Sequence, residues 1–137
     1  MKVMICSSMQ FAKEMLTAKE ALETKGHQIV MSQDVAHYSD NPNTKEIFED
    51  ELKQAQKGNS LYEGLERVTE SDALLILNYP KNGVEGYIGT SVFMEIGLGY
   101  YLKKKIYLLY SIDKNQKYAL EIALVDPIIL GGDLNKI

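Results

Sequence analysis

One acidic side chain stands alone in an apolar helical stretch and is the strongest sign of chemistry in the sequence. Glu95 is preceded by Val-Phe-Met and followed by Ile-Gly-Leu-Gly. On a helix it shares a face with the residues three and four positions away, which are Ser91, Val92, Leu98 and Gly99. A carboxylate held there is partly buried or faces a pocket, and an unpaired buried charge is costly unless its pKa rises or a partner neutralises it. Glu95 is therefore either a functional group facing a ligand or a structural glutamate paired with a lysine or a backbone donor.

A glycine-punctuated segment leads into that helix. Gly83, Gly86 and Gly89 precede it, and Thr90 and Ser91 fall where the helix should begin. Glycines let the backbone approach a ligand closely, and the first turn of a helix offers N–H groups and a positive dipole to an anion. These residues predict a phosphate or sugar site, with a simple helix N-cap at Thr90 or Ser91 as the alternative. The segment contains neither Gly-Lys-Ser/Thr nor GxGxxG, so it is neither a P-loop nor a dinucleotide fingerprint.

Further candidate ligand contacts follow the predicted strands. Ser7 and Ser8 end the first strand, where their hydroxyls either donate hydrogen bonds to a ligand or form an ordinary turn. Tyr87 and Tyr79 lie in the loop before the Glu95 helix, and either is a candidate for stacking on a base. Cys6 is either a small buried residue or a reactive thiol. The predicted substrate contacts are Cys6, Ser7, Ser8, Asn78, Gly86, Tyr87, Gly89, Thr90 and Ser91. No metal or cofactor is predicted, since neither histidine has metal-ligating residues near it in sequence.

Length, charge and cysteine content narrow the class of protein. A chain of 137 residues predicts a single domain spanning residues 1–137. A net charge of -4 gives no basic footprint, so nucleic acid is not expected as a partner. One cysteine excludes an intramolecular disulfide, and no apolar run reaches the length of about 20 residues that spans a bilayer. We therefore expect a cytoplasmic protein with no membrane partner.

The hydrophobic pattern predicts five strands alternating with helices, which is typical of a single-domain, doubly wound α/β fold with a parallel sheet. The predicted strands are residues 2–6, 28–31, 73–77, 106–110 and 127–130. The predicted helices are residues 9–25, 44–57, 61–69, the Glu95 helix, and 117–124, with a loop at 32–42. Ser60 is expected to cap the third of these helices, and Leu61, Leu65 and Val68 to form its apolar stripe. The loop at 78–89 is long for a strand-to-helix connection, which favours a functional role.

Several of these segments, taken in order, resemble the nucleoside 2-deoxyribosyltransferase-like family, which includes the deoxynucleoside 5'-monophosphate N-glycosidases. The resemblance rests on Met-Ile-Cys-Ser-Ser-Met at 4–9, Gly-His-Gln-Ile-Val at 26–30, Ser-Asp-Ala at 71–73, and Gly-Thr-Ser at 89–91 leading to Glu-Ile-Gly at 95–97. It spans nearly the whole chain. It implies a flavodoxin-like sheet and a homodimer or higher homo-oligomer with sites near an interface.

The resemblance also implies a reaction. In this family a glutamate attacks the anomeric carbon of a nucleoside sugar, and by position that glutamate is Glu95. The glycosyl intermediate is then resolved by water or by another base, as in retaining glycoside chemistry. Gly89 and Ser91 fall where the monophosphate hydrolases hold the 5'-phosphate. The expected ligand is a nucleoside or nucleotide.

Some positions depart from the family pattern. Met4 stands where the monophosphate hydrolases have a tyrosine, and Ser7 stands where a glycine is usual. Gly64 stands where those hydrolases have an aspartate, although this chain has an acidic residue, Glu63, at the adjacent position. The loss of two supporting groups favours one alternative, a non-catalytic nucleotide-binding or sensor domain in which Glu95 binds a ribose hydroxyl. A second alternative is a phosphoribohydrolase of the lysine-decarboxylase-like type. That family also pairs a Gly-Thr with a nearby glutamate, but it ranks lower because its denser glycine run, Pro-Gly-Gly followed by Gly-Thr, is absent here.

Overall fold

The sheet of this protein is parallel throughout and has the strand order β2-β1-β3-β4-β5. In the computed structural model, which describes residues 1–42 and 47–137, its strands are β1 (Lys2–Cys6), β2 (Gln28–Val30), β3 (Ala73–Ile76), β4 (Lys105–Leu108) and β5 (Ile128–Ile129). This is the order of the flavodoxin-like doubly wound fold. The fold class predicted from the sequence is confirmed, and each predicted strand is found within two residues of its expected ends.

Helices follow the strands along the chain. They are α1 (Ala12–Thr24), α2 (Asp34–Asp40), α3 (Phe48–Gly58), α4 (Ser60–Glu70), α5 (Thr90–Tyr101) and α6 (Ala119–Val125), with single 3-10 turns at Met9–Phe11 and Leu134–Lys136. Successive side chains of a strand point to opposite faces of the sheet, so β1 sends Val3 and Ile5 to one core and Met4 and Cys6 to the other. The first core packs against α1, and the second packs against α4, α5 and α6.

The segment after β2 differs from its prediction as a loop. Residues Asp34–Asp40 form α2, which packs against α1 and buries Val35 between them. The Ser32 hydroxyl accepts a hydrogen bond from the Asp34 backbone N–H at 3.1 Å and so supports the first turn. The Asp40-Asn41-Pro42 sequence ends this helix and does not prevent it. The first part of the helix predicted at 44–57 lies outside the described residues, and α3 begins at Phe48.

The predicted cap and apolar stripe of α4 are wrong in detail. The N-cap is Asn59, whose left-handed backbone (φ 50°) also ends α3, and Ser60 is the first helical residue. The buried residues of α4 are Gly64 and Val68, whereas Leu61 remains 47% exposed. The helix is turned from its expected orientation because it packs on α5 as well as on β1. The face that turns inward carries Ser60, Gly64 and Arg67.

A close contact with the sheet fixes α5, the helix that carries Glu95. A Cβ added to Gly99 would lie 2.7 Å from Cδ1 of Leu74, which is fully buried in β3. Real Cβ atoms do not approach so closely, so any larger residue at this position would require the buried Leu74 side chain to shift. Gly99 therefore permits close packing of α5, the helix that carries Glu95, against β3.

Candidate active site

A cleft of about 710 Å³ opens at the carboxyl ends of β1 and β3. In the sheet, β2 lies on one side of β1, whereas β3, β4 and β5 lie on the other side. The direction in which strands are added therefore reverses between β1 and β3. Open α/β sheets bind ligands at such a point. The cleft is lined by most of the predicted site residues, namely Cys6, Ser7, Ser8, Tyr87, Gly89, Thr90, Ser91 and Glu95. Asn78 and Gly86 are not among its lining residues.

Glu95 reaches the cleft from α5 with its carboxylate toward α4. The Cys6 thiol lies 4.0 Å from Glu95 Oε2 and donates a weak hydrogen bond to it. A Cβ added to Gly64 would lie 3.5 Å from the same oxygen, so the carboxylate faces this glycine. Burial raises the pKa of Glu95 to about 7, and the nearby Arg67 guanidinium opposes that shift. At neutral pH the group is therefore present in both its acidic and its basic forms.

Cys6 supports Glu95 and is itself poorly suited to act as a nucleophile. Burial raises the pKa of its thiol well above the usual value, and the Glu95 carboxylate raises it further. The thiol is fully protonated at neutral pH for this reason, and a protonated thiol is unreactive. Of the two roles open from the sequence, the structure favours a small buried residue that lines the floor of the cleft.

Arg67 is a cleft residue that the sequence reasoning missed. It lies on α4 one turn beyond Gly64, and its Nη2 atom would be 3.7 Å from a Cβ on that glycine. Its Nε atom is buried and has no hydrogen-bond partner among the described residues. A signal was available in the sequence, because Arg67 is the only arginine in the chain and shares a helix face with Ser60 and Gly64.

Lys81 is the second cationic residue that was missed. It comes from the long loop after β3, and its side chain is almost fully buried. The Nζ atom donates a hydrogen bond to Ser8 Oγ at 2.8 Å and lies 5.3 Å from the centre of the Tyr87 ring. The loop therefore folds a positive charge into the cleft beside the two predicted contacts Ser8 and Tyr87. No periodicity in a loop sequence could place that lysine.

The two serines after β1 have different surroundings. Ser7 is buried, and its hydroxyl donates to the Leu77 carbonyl at 2.8 Å, which ties the end of β1 to the end of β3. Ser8 is half-buried and accepts from Lys81. Ser7 thus shapes the edge of the cleft, whereas Ser8 holds the lysine in it.

Thr90 and Ser91 are exposed at the start of α5, where both line the cleft. The N-cap of the helix is Gly89, and no side chain caps the first turn. The alternative in which Thr90 or Ser91 serves only as an N-cap is therefore not what the structure shows. Both residues belong to the first turn of α5 and so lie next to the positive end of the helix dipole.

Asn78 has a structural role in the connection after β3. Its side-chain amide donates to the Tyr110 carbonyl at 2.7 Å, and its side-chain oxygen accepts from the Tyr110 N–H at 2.9 Å. These two hydrogen bonds extend the pairing of the chain beyond the last residues of β3 and β4. Both of its polar ends are used within the protein.

Gly86 is required by the fold of the same loop. Its φ is +61°, and an added Cβ would lie 2.2 Å from the Ser111 carbonyl oxygen. Gly86→Ala should therefore lower the free energy of unfolding by roughly 2–4 kcal/mol, because the left-handed backbone and the clash both oppose it. Gly97→Ala is the matched control: nothing lies within 4 Å of the added Cβ, and alanine favours the helix by about 1 kcal/mol. Urea denaturation of the two variants measures both effects, and equal stability of the two would contradict this account of Gly86.

No known protein family model matches this chain, and no curated protein sequence matches it either. Among residues 1–42 and 47–137, no helix is long and apolar enough to cross a membrane. The same described part of the chain contains no group of three or more histidine, cysteine or acidic side chains arranged to hold a metal ion. The functional conclusion therefore rests on the geometry of the cleft and on the resemblance described above.

Proposed function

We propose that this protein is an N-glycosidase or deoxyribosyltransferase-like enzyme that cleaves or transfers the N-glycosidic bond of a nucleoside or nucleoside 5'-monophosphate. The observation that carries the proposal is Glu95, a carboxylate with a pKa of about 7 at the floor of a large cleft. Carboxylates with strongly shifted pKa values in clefts are typical of active sites. Its ionised form bonds to the anomeric carbon as the N-glycosidic bond breaks and the base departs with the electron pair of that bond. Water or a second base then displaces Glu95 from the resulting glycosyl ester.

Another part of the cleft lining suits the sugar and a 5'-phosphate. Lys81, Thr90 and Ser91 line it together with the N-terminus of α5, so it offers a cation, two hydroxyls and the positive end of a helix dipole. Tyr87 adds an aromatic ring beside Lys81. This combination favours an anionic substrate, and within the proposed class a 5'-monophosphate over the free nucleoside. The enzyme would act in the cytoplasm on such small molecules.

A second candidate function is supported by Gly64. This position faces Glu95, and it is where the resemblance expects an aspartate. A site without that acid suits a nucleotide-binding or sensor domain in which Glu95 accepts a hydrogen bond from a ribose hydroxyl. The two candidates differ in whether a bound nucleotide is consumed.

Chromatographic detection of free base tests the proposal. The protein is incubated with ribo- and deoxyribonucleosides and with their 5'-monophosphates, and thermal unfolding is followed in parallel. Release of base, faster from monophosphates than from nucleosides, is the expected result. Stabilisation by a nucleotide without any release would support the binding domain instead, and neither release nor stabilisation would refute both.

We also propose that the protein is a homodimer joined through α3, α4 and α5. These helices pack against one another and expose apolar side chains, of which Phe48 is 72% exposed and Tyr62 58% exposed. Exposed apolar surface of this kind is typical of an interaction site. Since α4 and α5 also line the cleft, such an interface would lie near the proposed active site.

Replacement of Phe48 by aspartate should convert the dimer to a monomer. A charge within an apolar interface must lose its water on association, which weakens the dimer. Leu120→Asp is the matched control, because Leu120 is 68% exposed on α6, which is not one of the three helices of this surface. Light scattering coupled to gel filtration measures the mass of each variant. A wild-type protein of monomeric mass, or equal dissociation of both variants, would argue against the interface.

A further inference from the structure

The cleft contains a cation whose role the proposed function leaves open. Arg67 extends from α4 toward the cleft, and its buried Nε has no hydrogen-bond partner in the described part of the chain. A buried donor without an acceptor is costly, so native proteins rarely keep one unless a ligand or water completes it. The Arg67 Nε–H group can therefore donate a hydrogen bond to a ligand bound in the cleft.

The position of Arg67 relative to Glu95 suits a two-sided attack on a glycosidic bond. Glu95 Oε2 and Arg67 Nη2 both border the space above Gly64, at 3.5 Å and 3.7 Å from the position of an added Cβ. The two groups nevertheless form no ion pair within 4.0 Å. Retaining glycosidases hold the nucleophile and the group that assists the leaving atom about 5 Å apart, so that the reacting carbon fits between them. An arginine can serve as the group that assists departure if the leaving group carries negative charge.

A second cavity offers space for the departing base. This side cavity of about 250 Å³ shares lining residues with the cleft and is lined almost entirely by polar residues of α3, α4 and the segment that leads into α2. Arg67 borders both spaces, whereas Glu95 borders only the cleft. Asp34 also borders both, but its two carboxylate oxygens already accept hydrogen bonds, from Gln54 at 3.5 Å and from Ser60 at 3.4 Å.

We propose that Arg67 is a catalytic residue that stabilises the departing base as an anion by donating guanidinium hydrogen bonds to it. This inference rests on the proposed function. Glu95 forms a bond to the anomeric carbon while the bond to the base nitrogen breaks, and the electron pair leaves with the base. Water then displaces Glu95 from the sugar, and the proton that this water loses is matched by the one that the base gains from solvent.

A substrate preference follows from the chemistry of arginine. A guanidinium donates hydrogen bonds but does not give up its proton in proteins. Amino-substituted bases such as adenine and cytosine leave readily only once protonated. Oxo-substituted bases such as hypoxanthine and uracil delocalise the negative charge onto ring and carbonyl atoms and leave as anions. The enzyme should therefore prefer inosine to adenosine and uridine to cytidine, in the ribo or deoxyribo series and with or without a 5'-phosphate.

The test compares natural substrates with one that needs no assistance. Arg67→Met should lower kcat/KM for the inosine and uridine substrates by about 100-fold, the usual effect of removing one donor to a developing negative charge. All rates are measured near pH 9, where Glu95 is ionised in both proteins, because loss of the Arg67 charge raises the pKa of Glu95 further. Under that condition Arg67→Met should leave turnover of para-nitrophenyl riboside within about threefold of wild type, because nitrophenolate departs unaided. Lys53→Met, which removes an exposed positive charge on α3, should change neither. If Arg67→Met does not fold by circular dichroism, Arg67→Lys, which keeps the charge and loses the forked donor, is used in the same comparison.

Each other outcome overturns the inference. Equal losses on both kinds of substrate would show that Arg67 only maintains Glu95 or the fold. A wild-type preference for adenosine over inosine would show that the base leaves protonated, which arginine cannot bring about. Base release by the wild-type protein separates these failures from failure of the proposed function, since without release from any substrate the glycosidase proposal and this inference fall together.

Discussion

Replacement of Glu95 by alanine should reduce base release by about 10⁴-fold, because the variant lacks the nucleophile and keeps only the contributions of binding. Glu95→Gln should be equally inactive, since an amide of nearly the same shape cannot attack the anomeric carbon. Both variants should still bind the substrate. The loss therefore falls on kcat, whereas a residue that only binds sugar would affect KM.

Glu70→Gln is the matched control, because Glu70 lies exposed at the end of α4 and should be dispensable. A 2-fluoro-substituted nucleoside, which slows breakdown of the intermediate, should label the wild-type protein at Glu95, as read by mass spectrometry of its peptides. Base release by Glu95→Ala at more than a tenth of the wild-type rate would remove Glu95 from the mechanism. Labelling at another carboxylate would assign the nucleophile to that residue.

The activity should depend steeply on pH between 5 and 8. Only the ionised form of Glu95 attacks, and burial raises its pKa to about 7 despite the opposing charge of Arg67. The value of kcat/KM, which reports the free enzyme, should rise about tenfold per pH unit up to pH 7 and then level off. At pH 5 we expect roughly one hundredth of the plateau value. A flat profile across this range would contradict the assignment of Glu95 as the nucleophile or its shifted pKa.

The same shift predicts how stability varies with pH. The folded protein favours the protonated carboxyl, so the stabilising contribution is complete below a pH of about 4.5 and is lost as the pH rises through 7. Glu95→Gln imitates the protonated form at every pH. It should therefore be more stable than the wild type at pH 8, by on the order of 2–3 kcal/mol at most, and no more stable at pH 4.

Denaturation by urea at both pH values measures this difference in the free energy of unfolding. Because the measurement needs no substrate, it separates the environment of Glu95 from its role in a reaction. Equal stability of the two proteins at pH 8 would mean that the carboxylate is solvated or paired in the folded state. In that event the acid limb of the activity profile would have to come from another group.

The strands could be read from the sequence because their signal is local. Five short apolar runs, separated by helical patterns and turn residues, admit few arrangements other than a parallel doubly wound sheet. Glu95 was found for a similar reason, since one acid in an apolar helical stretch is visible without knowledge of any neighbour. The α2 helix was missed because seven residues carry too little periodicity to outweigh the nearby Asp-Asn-Pro sequence.

The partners of Glu95 could not be read in this way. Whether Arg67 or Leu61 turns inward depends on the rotation of α4 about its axis, and packing on α5 and β1 decides that rotation. Lys81 depends on the path of a loop, and a loop has no repeating pattern that orients its side chains. Asn78 and Gly86 resembled ligand contacts because turn residues and site residues are of the same types. Their contacts with Tyr110 and Ser111 are visible only in the folded chain.

The sequence by itself determined the fold class, the edge of the sheet where a cleft forms and the identity of its central carboxylate, because each is encoded in the order of neighbouring residues. The tertiary structure alone decided the electrostatics of that cleft. It set the burial that raises the pKa of Glu95, and it brought Arg67 and Lys81 to the cleft from segments far apart in the chain. Such effects depend on distances of a few ångströms between elements, which no local pattern of residues specifies.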